Sequence, residues 1–380
     1  MTRTSTIFLY VSILCISTLC SMMAQKRRVL NGKVVYYFRF RWYVASFLVA
    51  WFFCAFTDIG VDYSNYIRII SSASLDNLFS GEVGLNALAV LFKFFLGNNF
   101  DGVYFALKTS AILIAYYAIW KLRNKANLGL AVFSYILLSY LRFYLVGMHI
   151  STALVLLSIV YLVEDCDRKA LISYCLACTM HYSAVLLTPA YLLFYLIMWR
   201  GKRISRIMIV LLSIAYLLIV YFASSLYMFL TSSISIFSHY AEHGLIDKYQ
   251  GTGLMQFVFF APILYMGLQM HKKHSNKRLI NMTLIWGITS FFFGMLGYSM
   301  NVVARMYEHF IGLYIVFVPM FLFDRRNHQN IRHPKYWLSY RSEMFVWICC
   351  VCMRGFDIWY DVLQVASSAQ VDRWNFFFPF

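Results

Sequence analysis

Two carboxylates, two tyrosines and an arginine are concentrated in the stretch CAFTDIGVDYSNYIRII, residues 54–70. They are Asp58, Asp62, Tyr63, Tyr66 and Arg68. The whole chain is 61% apolar and only 13% charged. A carboxylate can accept a proton, and a guanidinium can bind an anion through paired hydrogen bonds. The same residue types are also ordinary in a solvated loop at a membrane surface, so the stretch alone leaves both interpretations open.

A second polar pair interrupts apolar sequence in SYLRFYLVGMHISTA. It consists of Arg142 and, about two helical turns later, His149, which share one helical face if the helix is continuous. An arginine at the centre of a membrane helix costs about 2.5–3.5 kcal/mol, so it normally faces a cavity or a partner. The alternative is that its long side chain extends to the membrane surface.

Further polar positions lie later in the chain. In VARMYEHF, the spacing of Arg305, Glu308 and His309 places them on one helix face, either as part of a site or as a self-neutralising triad. His181 ends an apolar helix in CTMHYSAVLL, where an interfacial role is equally compatible. The stretch HYAEH, residues 239–243, lacks a third zinc ligand, so we expect no metal and no cofactor.

The composition predicts a membrane protein. The 380 residues have a mean hydropathy of +0.66, and apolar runs of about 17–25 residues, the length that crosses a bilayer, recur along the chain. This excludes a soluble globular protein. The net charge of +17 comes from short basic clusters between apolar runs, which is typical of topology signals and not of nucleic-acid binding.

Six basic clusters predict the topology, because Lys and Arg favour cytoplasmic loops. The clusters are residues 26–41, 121–125, 168–169, 200–206, 272–278 and 325–341. We predict an all-α, polytopic integral membrane protein in which a single transmembrane domain, 1–380, contains about twelve membrane-spanning helices. The predicted spans are 5–24, 42–57, 103–120, 127–145, 147–163, 169–182, 184–199, 206–224, 253–270, 279–298, 304–323 and 343–360.

The connections that carry no basic cluster fall on the opposite, outer side. The apolar piece 85–97 is short and interrupted by Lys93, which predicts a re-entrant or interfacial helix. It lies in a predicted outer loop, 58–102, and a second outer loop covers 225–252. The arginines, histidines and carboxylates thus converge near the outer interface, where they suit an anionic, lipid-linked substrate.

Five short motifs of the sequence resemble those of a known family. They are GVDYSNY (60–66), EVGLNAL (82–88), LRFYLVGMHISTALVLLS, MHYSAVLL around His181 and VARMYEHF around Arg305. In this order, and over about the whole chain, the sequence resembles bacterial Wzy/EpsG-type polysaccharide polymerases. Two departures stand out: EVG replaces a frequent Glu-Pro-Gly, and Thr57 and Asp58 lie near where an arginine often precedes the glycine. One phosphate contact of the family is then either absent or supplied by Arg68.

The resemblance implies a GT-C-like transferase in the bacterial inner membrane with its active site facing the periplasm. Its activity would be that of an O-antigen polymerase, a glycosyltransferase that joins oligosaccharide repeat units carried on undecaprenyl pyrophosphate. The implied partners are these lipid-linked oligosaccharides and the bilayer, and the resemblance allows a chain-length regulator protein. No nucleic acid is expected.

The resemblance also implies roles for the polar residues. Asp62, Glu82 and His181 are the candidates for the base that takes the proton from the attacking sugar hydroxyl. Arg142 and Arg305 would bind the departing pyrophosphate. The other substrate-binding candidates are Tyr63, Tyr66, Arg68, His149, Glu308 and His309.

Three other functions compete with this interpretation. An O-antigen ligase would use the same substrates, and a membrane acyltransferase acting on polysaccharide would also place His and Arg in the membrane. A flippase or other transporter typically shows an internal repeat and polar residues near the midplane, and the sequence contains neither an evident repeat nor a mid-span carboxylate.

A lysine substitution separates a binding arginine from one that only reaches the membrane surface. If Arg142 and Arg305 hold pyrophosphate by paired hydrogen bonds, Arg142→Lys and Arg305→Lys keep the charge but lose the planar fork. We expect severe loss of polymer at normal protein abundance, measured by the size distribution of surface polysaccharide. Wild-type polymer from both variants would remove the two arginines from the site.

Overall fold

The computed structural model describes residues 3–30, 33–56, 63–79, 81–140, 145–199, 205–222, 277–299, 309–310, 312–328, 348 and 352. These residues form twelve α-helices and one two-stranded sheet. The chain divides into two compact units, Met1–Ala184 with Tyr314–Phe380 and Val185–Leu313.

The first unit contains the hairpin and most of the described helices. Its helices are α1 (Arg3–Ala24), α2 (Phe40–Ala55), α3 (Tyr63–Ser72), α4 (Val83–Leu96), α5 (Phe100–Lys121), α6 (Leu128–Leu138), α7 (Val146–Val163), α8 (Asp167–Met180) and, from Tyr314 onward, α12 (Gly312–His328). Two short 3₁₀ helices, Leu122–Asn124 and Tyr182–Leu187, follow α5 and α8.

The second unit contains α9 (Thr188–Trp199), α10 (Arg206–Tyr221) and α11 (Lys277–Ser299). Trp286 of α11 is buried, and the rings of Tyr191 and Phe194 pack edge-on against it with centroids 5.0 and 5.7 Å away. Aromatic contacts of this kind join α9 to α11.

Helix α7 lies at the centre of the first unit. It is 18 residues long, and 89% of it is buried between α5, α8 and their neighbours. Two of its serines donate hydrogen bonds to backbone carbonyls of α8, Ser151 to Ala177 at 2.8 Å and Ser158 to Ala170 at 2.7 Å. Such side-chain hydrogen bonds join helices where no water competes for them.

Three helical segments are long and apolar enough to cross a membrane, namely Phe100–Asn124, Val146–Val163 and Tyr182–Trp199. The helical fold and the presence of several candidate spans are therefore confirmed. The total of about twelve spans stays a prediction, because the predicted spans 253–270 and 343–360 lie wholly or almost wholly outside the described residues.

The predicted outer loop 58–102 contains two helices. Helix α4 has 14 residues, about 21 Å, which is too short to span a bilayer and agrees with the short helix expected at 85–97. Helix α3 was not predicted, although Tyr63, Tyr66 and Ile70 already have helical spacing. The second predicted outer loop, 225–252, lies outside the described residues.

A β-hairpin interrupts the helical fold between α1 and α2. Strand β1 (Gln25–Leu30) pairs antiparallel with β2 (Lys33–Phe38). Only Asn31 and Gly32 separate the strands, and Asn-Gly is the dipeptide most typical of two-residue hairpin turns. From its basic residues alone this segment was predicted to be a plain cytoplasmic loop.

The predicted helix 127–145 is shorter in the structure. Helix α6 ends at Leu138 and α7 begins at Val146, so no continuous helix joins Arg142 to His149. The prediction that the two side chains share one helical face required a continuous helix, and this condition is not met.

Three of the basic clusters lie at one end of the first unit. The Gln25 side chain donates to the carbonyls of Arg123 and Ala126, at 2.6 and 2.8 Å, which brings the hairpin to the end of α5. At the same end, Lys121 Nζ lies 2.7 Å from Glu164 Oε2. Glu164 belongs to the loop that precedes Arg168 and Lys169. The predicted co-location of these clusters is confirmed.

The two ends of α5 provide a test of sidedness. Asn98 and Asn124 are both exposed and flank a helix of 22 residues, about 33 Å long. In a background without native cysteines, we expect a membrane-impermeant thiol reagent to label Asn98→Cys in intact cells and to spare Asn124→Cys. Labelling of Asn124→Cys from outside would overturn the predicted topology.

Candidate active site

The structure brings together two of the three candidate bases, Glu82 and His181. Glu82 precedes the first residue of α4, and His181 follows the last residue of α8. Glu82 Oε1 and His181 Nε2 are 3.6 Å apart, and the side chains are only 26% and 23% exposed. A carboxyl group and an imidazole in this arrangement can exchange a proton or hold each other in place.

The contacts of His181 determine which of its nitrogens carries the proton. The backbone N–H of Ser183 donates to Nδ1 at 3.2 Å, and Ser183 Oγ lies 2.6 Å from the same nitrogen. A backbone N–H can only donate, so Nδ1 must accept, and in the neutral ring the proton is on Nε2. The Nε2–H therefore faces the Glu82 carboxyl group. In this state His181 acts as a donor, and Glu82 is the better base.

Tyr66 and Gly147 complete this cluster. The backbone N–H of Gly147, in the first turn of α7, donates to the Tyr66 hydroxyl at 3.2 Å. A Cβ added at Gly147 would lie 2.7 Å from Glu82 Oε2, so glycine is needed for the carboxyl group to approach α7. We call Tyr66, Glu82, Gly147, His181 and Ser183 the Glu82 cluster.

Two contacts on either side of Glu82 fix its backbone against the end of α8. The Tyr182 hydroxyl donates to the carbonyl of Gly81. A Cβ on Gly84 would lie 2.9 Å from the backbone carbon of Thr179, so only glycine allows α4 to begin this close to α8. The glycine in the motif EVG is therefore explained by helix packing, whether valine or proline precedes it.

Burial changes the acidity of Glu82, which lies outside the candidate spans. Removal from water disfavours the charged form and raises the pKa of Glu82 from 4.5 to about 8. A carboxyl group that titrates near neutral pH can both accept and release a proton under physiological conditions.

Tyr63 and Tyr66 lie on α3 against Tyr104 of α5, with ring centroids 5.2 and 6.2 Å away. The Tyr63 hydroxyl donates to the carboxylate of Asp101, which had no place in the sequence predictions. Arg68 is exposed on α3 and donates to Asn65 at 3.3 Å. The structure thus brings Tyr66 into the Glu82 cluster, keeps Tyr63 beside it, and shows Arg68 bonded within its own helix.

His149 is enclosed in the core of the first unit and is only 3% exposed. Its Nε2 lies 3.1 Å from the Tyr135 hydroxyl, and the two rings stack with centroids 6.2 Å apart. Its Nδ1 is buried and has no hydrogen-bond partner among the described residues. This environment closes His149 to a bulky sugar substrate, so its predicted substrate-binding role gains no support.

A buried lysine was missed by the sequence analysis. Lys108 lies within the first half of the candidate span Phe100–Asn124 and has no exposed surface. Its ammonium group lies 5.0 Å from the centroid of the Tyr104 ring, a favourable cation–π distance. The signal was available, because Lys108 is the one charge within the run ALKTSAILIAYYAIW.

The remaining candidates are not placed in the Glu82 cluster. Asp62, Arg142, Arg305 and Glu308 lie outside the described residues. His309 is described and is 1% exposed, in the second unit. Among the described residues, no group of three or more His, Cys, Asp or Glu side chains is arranged to hold a metal ion.

Comparison with known proteins decides the family. The sequence profile of the EpsG family matches residues 40–351, most of the chain. The chain belongs to the EpsG family. EpsG-family members are membrane proteins linked to exopolysaccharide synthesis. No curated protein and no solved structure matches the chain significantly. The matched range, residues 40–351, includes α4, α7 and α8, whose ends contribute to the Glu82 cluster.

Two substitutions of His181 separate its two nitrogens. The side-chain oxygen of Asn can take the position of Nδ1 and keep the hydrogen bond from Ser183, whereas the longer Gln can reach the position of Nε2. If the Nε2–H orients Glu82, we expect His181→Asn to be abundant but to make at least tenfold less exopolysaccharide, and His181→Gln to retain more. The reverse ranking would mean that His181 serves only as a helix cap.

Proposed function

We propose that this EpsG-family protein is a polysaccharide polymerase. It would transfer a growing oligosaccharide from undecaprenyl pyrophosphate to the next lipid-linked repeat unit, with the pyrophosphate lipid as leaving group. The observation that carries this proposal is the pairing of Glu82 with His181, in a half-enclosed position at one end of the bundle. Both residues lie within the range that the family profile matches.

The predicted topology assigns this end to the periplasm. Glu82 contacts the first turn of α7, and the basic clusters lie near its last turn, where Lys125 donates to the carbonyl of Val163 at 3.0 Å. The 18 residues of α7 separate the two ends by about 27 Å, close to the thickness of the hydrocarbon core. If the basic end is cytoplasmic, the Glu82 cluster faces the periplasm.

Glu82 has the role of general base in the proposed reaction. The acceptor sugar hydroxyl attacks the anomeric carbon of the donor, and Glu82 takes the hydroxyl proton as the new C–O bond forms. The bond from the anomeric carbon to the pyrophosphate oxygen breaks, and its electron pair leaves with the pyrophosphate. His181 keeps the carboxyl group oriented through its Nε2–H.

The developing negative charge on the pyrophosphate needs fixed donors. Arg142 and Arg305 are the proposed donors, and Arg142 lies only four residues before the start of α7. The positive end of the α7 dipole would add to their effect. Asp62 directly precedes Tyr63 in the chain and is the second candidate base.

The remaining roles follow from chemistry. Tyr63 and Tyr66 present rings and hydroxyls of the kind that stack on sugars and bond to them. Arg68, Glu308 and His309 remain candidate contacts to sugar or phosphate groups. A chain-length regulator protein and the lipid-linked oligosaccharides are the proposed partners.

Glu82→Gln provides the direct test, with purified protein and lipid-linked repeat units. Loss of the base should lower the rate of extension by about 10²–10⁴.

The wild-type protein should also show a characteristic pH profile. Its activity should rise about tenfold per pH unit below pH 8 and level off above it, because only the ionised Glu82 carboxylate accepts the proton.

Glu164→Gln is the matched control, since Glu164 pairs with Lys121 at the opposite end of the bundle. It should extend polymer at the wild-type rate. Near wild-type extension by Glu82→Gln would exclude Glu82 and move the base to Asp62. Transfer of whole glycans to another lipid, with no lengthening of the repeat, would identify a ligase instead.

A further inference from the structure

The hairpin between α1 and α2 has two chemically different faces. Directly paired residues share a face, so Gln25, Arg27, Tyr36 and Phe38 point one way and are partly buried. We call this the packed face. The open face carries Lys26, Arg28, Leu30, Val35 and Tyr37, all of which are exposed. This alternation is typical of a sheet with one covered and one free side.

The packed face holds the hairpin across the ends of the helices. Tyr36 packs against Phe323 of α12 with ring centroids 4.6 Å apart, and Phe38 packs against Trp120 of α5 at 6.1 Å. The backbone N–H of Arg39 donates to the carbonyl of Ala24 at 2.8 Å, which closes the hairpin where α1 ends. The strands therefore lie over the helix ends, which the predicted topology assigns to the cytoplasmic membrane surface.

The open face combines cations with apolar side chains. The guanidinium of Arg28 lies 5.2 Å from the centre of the Tyr37 ring, beside exposed Leu30. Exposed Arg39, Phe40 and Arg41 extend the same mixture into α2. No Asp or Glu occurs in the sequence before Asp58, so no acidic residue of this segment offsets the charge.

This combination specifies one kind of ligand. We propose that the open face of the hairpin binds the headgroups of anionic phospholipids in the bilayer that surrounds the protein. Lys26 and Arg28 would contact phosphate oxygens, while Leu30, Val35 and Tyr37 enter the boundary between headgroups and acyl chains. The surface is tied to α1 and α2, two apolar helices that the sequence predicts to span the membrane, and it includes exposed apolar side chains. A soluble polyanion would leave these apolar side chains in water. The inference depends neither on the Glu82 cluster nor on the proposed reaction.

The test compares lipid binding by full-length protein variants. Lys26→Gln/Arg28→Gln removes two charges from the open face. Arg168→Gln/Lys169→Gln removes two equally exposed charges at the same end of the bundle, where Asp165 and Asp167 already offset them. Purified proteins in micelles are titrated with phosphatidylglycerol or with phosphatidylcholine of the same acyl chains, and bound lipid is counted by native mass spectrometry.

We expect wild-type protein to retain phosphatidylglycerol in preference to phosphatidylcholine. Each charge lost near the phosphates should cost about fivefold in affinity, so the hairpin variant should lose about 25-fold and the control less than threefold. Glycerol phosphate at the same concentration should not compete, because it lacks acyl chains. Competition by glycerol phosphate would overturn the lipid assignment in favour of a phosphate site.

Equal losses in both variants would also overturn the proposal, since general positive charge would then explain the binding. The same holds if lipid binding is unchanged while exopolysaccharide is lost in cells, a result that would indicate a protein partner on this surface. Thermal unfolding checks the fold of the hairpin variant. If it fails to fold, Arg39→Gln/Arg41→Gln is used in its place, with the same expected loss.

Discussion

The enclosure of α7 is the constraint on which the first unit depends. Almost all of this helix is surrounded by protein, so Ser151 and Ser158 form their hydrogen bonds within the bundle, to backbone carbonyls of α8. Polar and charged groups lie at both of its ends. Glu82 and Tyr66 contact the first turn of α7, and Lys121, Lys125 and Glu164 lie at its last turn.

The same packing accounts for the reactivity proposed for Glu82. Close approach at Gly84 and Gly147 draws the carboxyl group against α7 and α8, and removal from water is what raises its pKa. Ser183 fixes the imidazole of His181 from the other side, so the Nε2–H can only face the carboxyl group. The junction of α4, α7 and α8 thus orients the carboxyl group and the imidazole toward each other.

Sequence reasoning succeeded where the determining forces are local. Hydropathy and basic clusters predicted α5, α7 and the short α4, because span length and loop charge are local properties. The hairpin was missed because its basic residues were considered as topology signals alone, although Asn31-Gly32 is a strong turn signal. The contact between Glu82 and His181 depends on tertiary packing of α4 against α8, which no local pattern encodes. Lys108 was overlooked because one charge barely changes the hydropathy of a long apolar run.

The two ends of the bundle would have different roles in a reaction on a lipid-linked substrate. A polyprenyl chain must stay in hydrocarbon while its pyrophosphate and sugars stay in water, so the reacting bond can only lie at the membrane surface. Glu82, the proposed base at the end of α7, would meet that requirement, whereas the buried His149 would not. Anionic lipid held at the opposite end by the hairpin would fix the depth of α1 and α2 in the bilayer. Because α5 packs against both α2 and α7, that depth would set the position of the Glu82 cluster relative to the membrane surface.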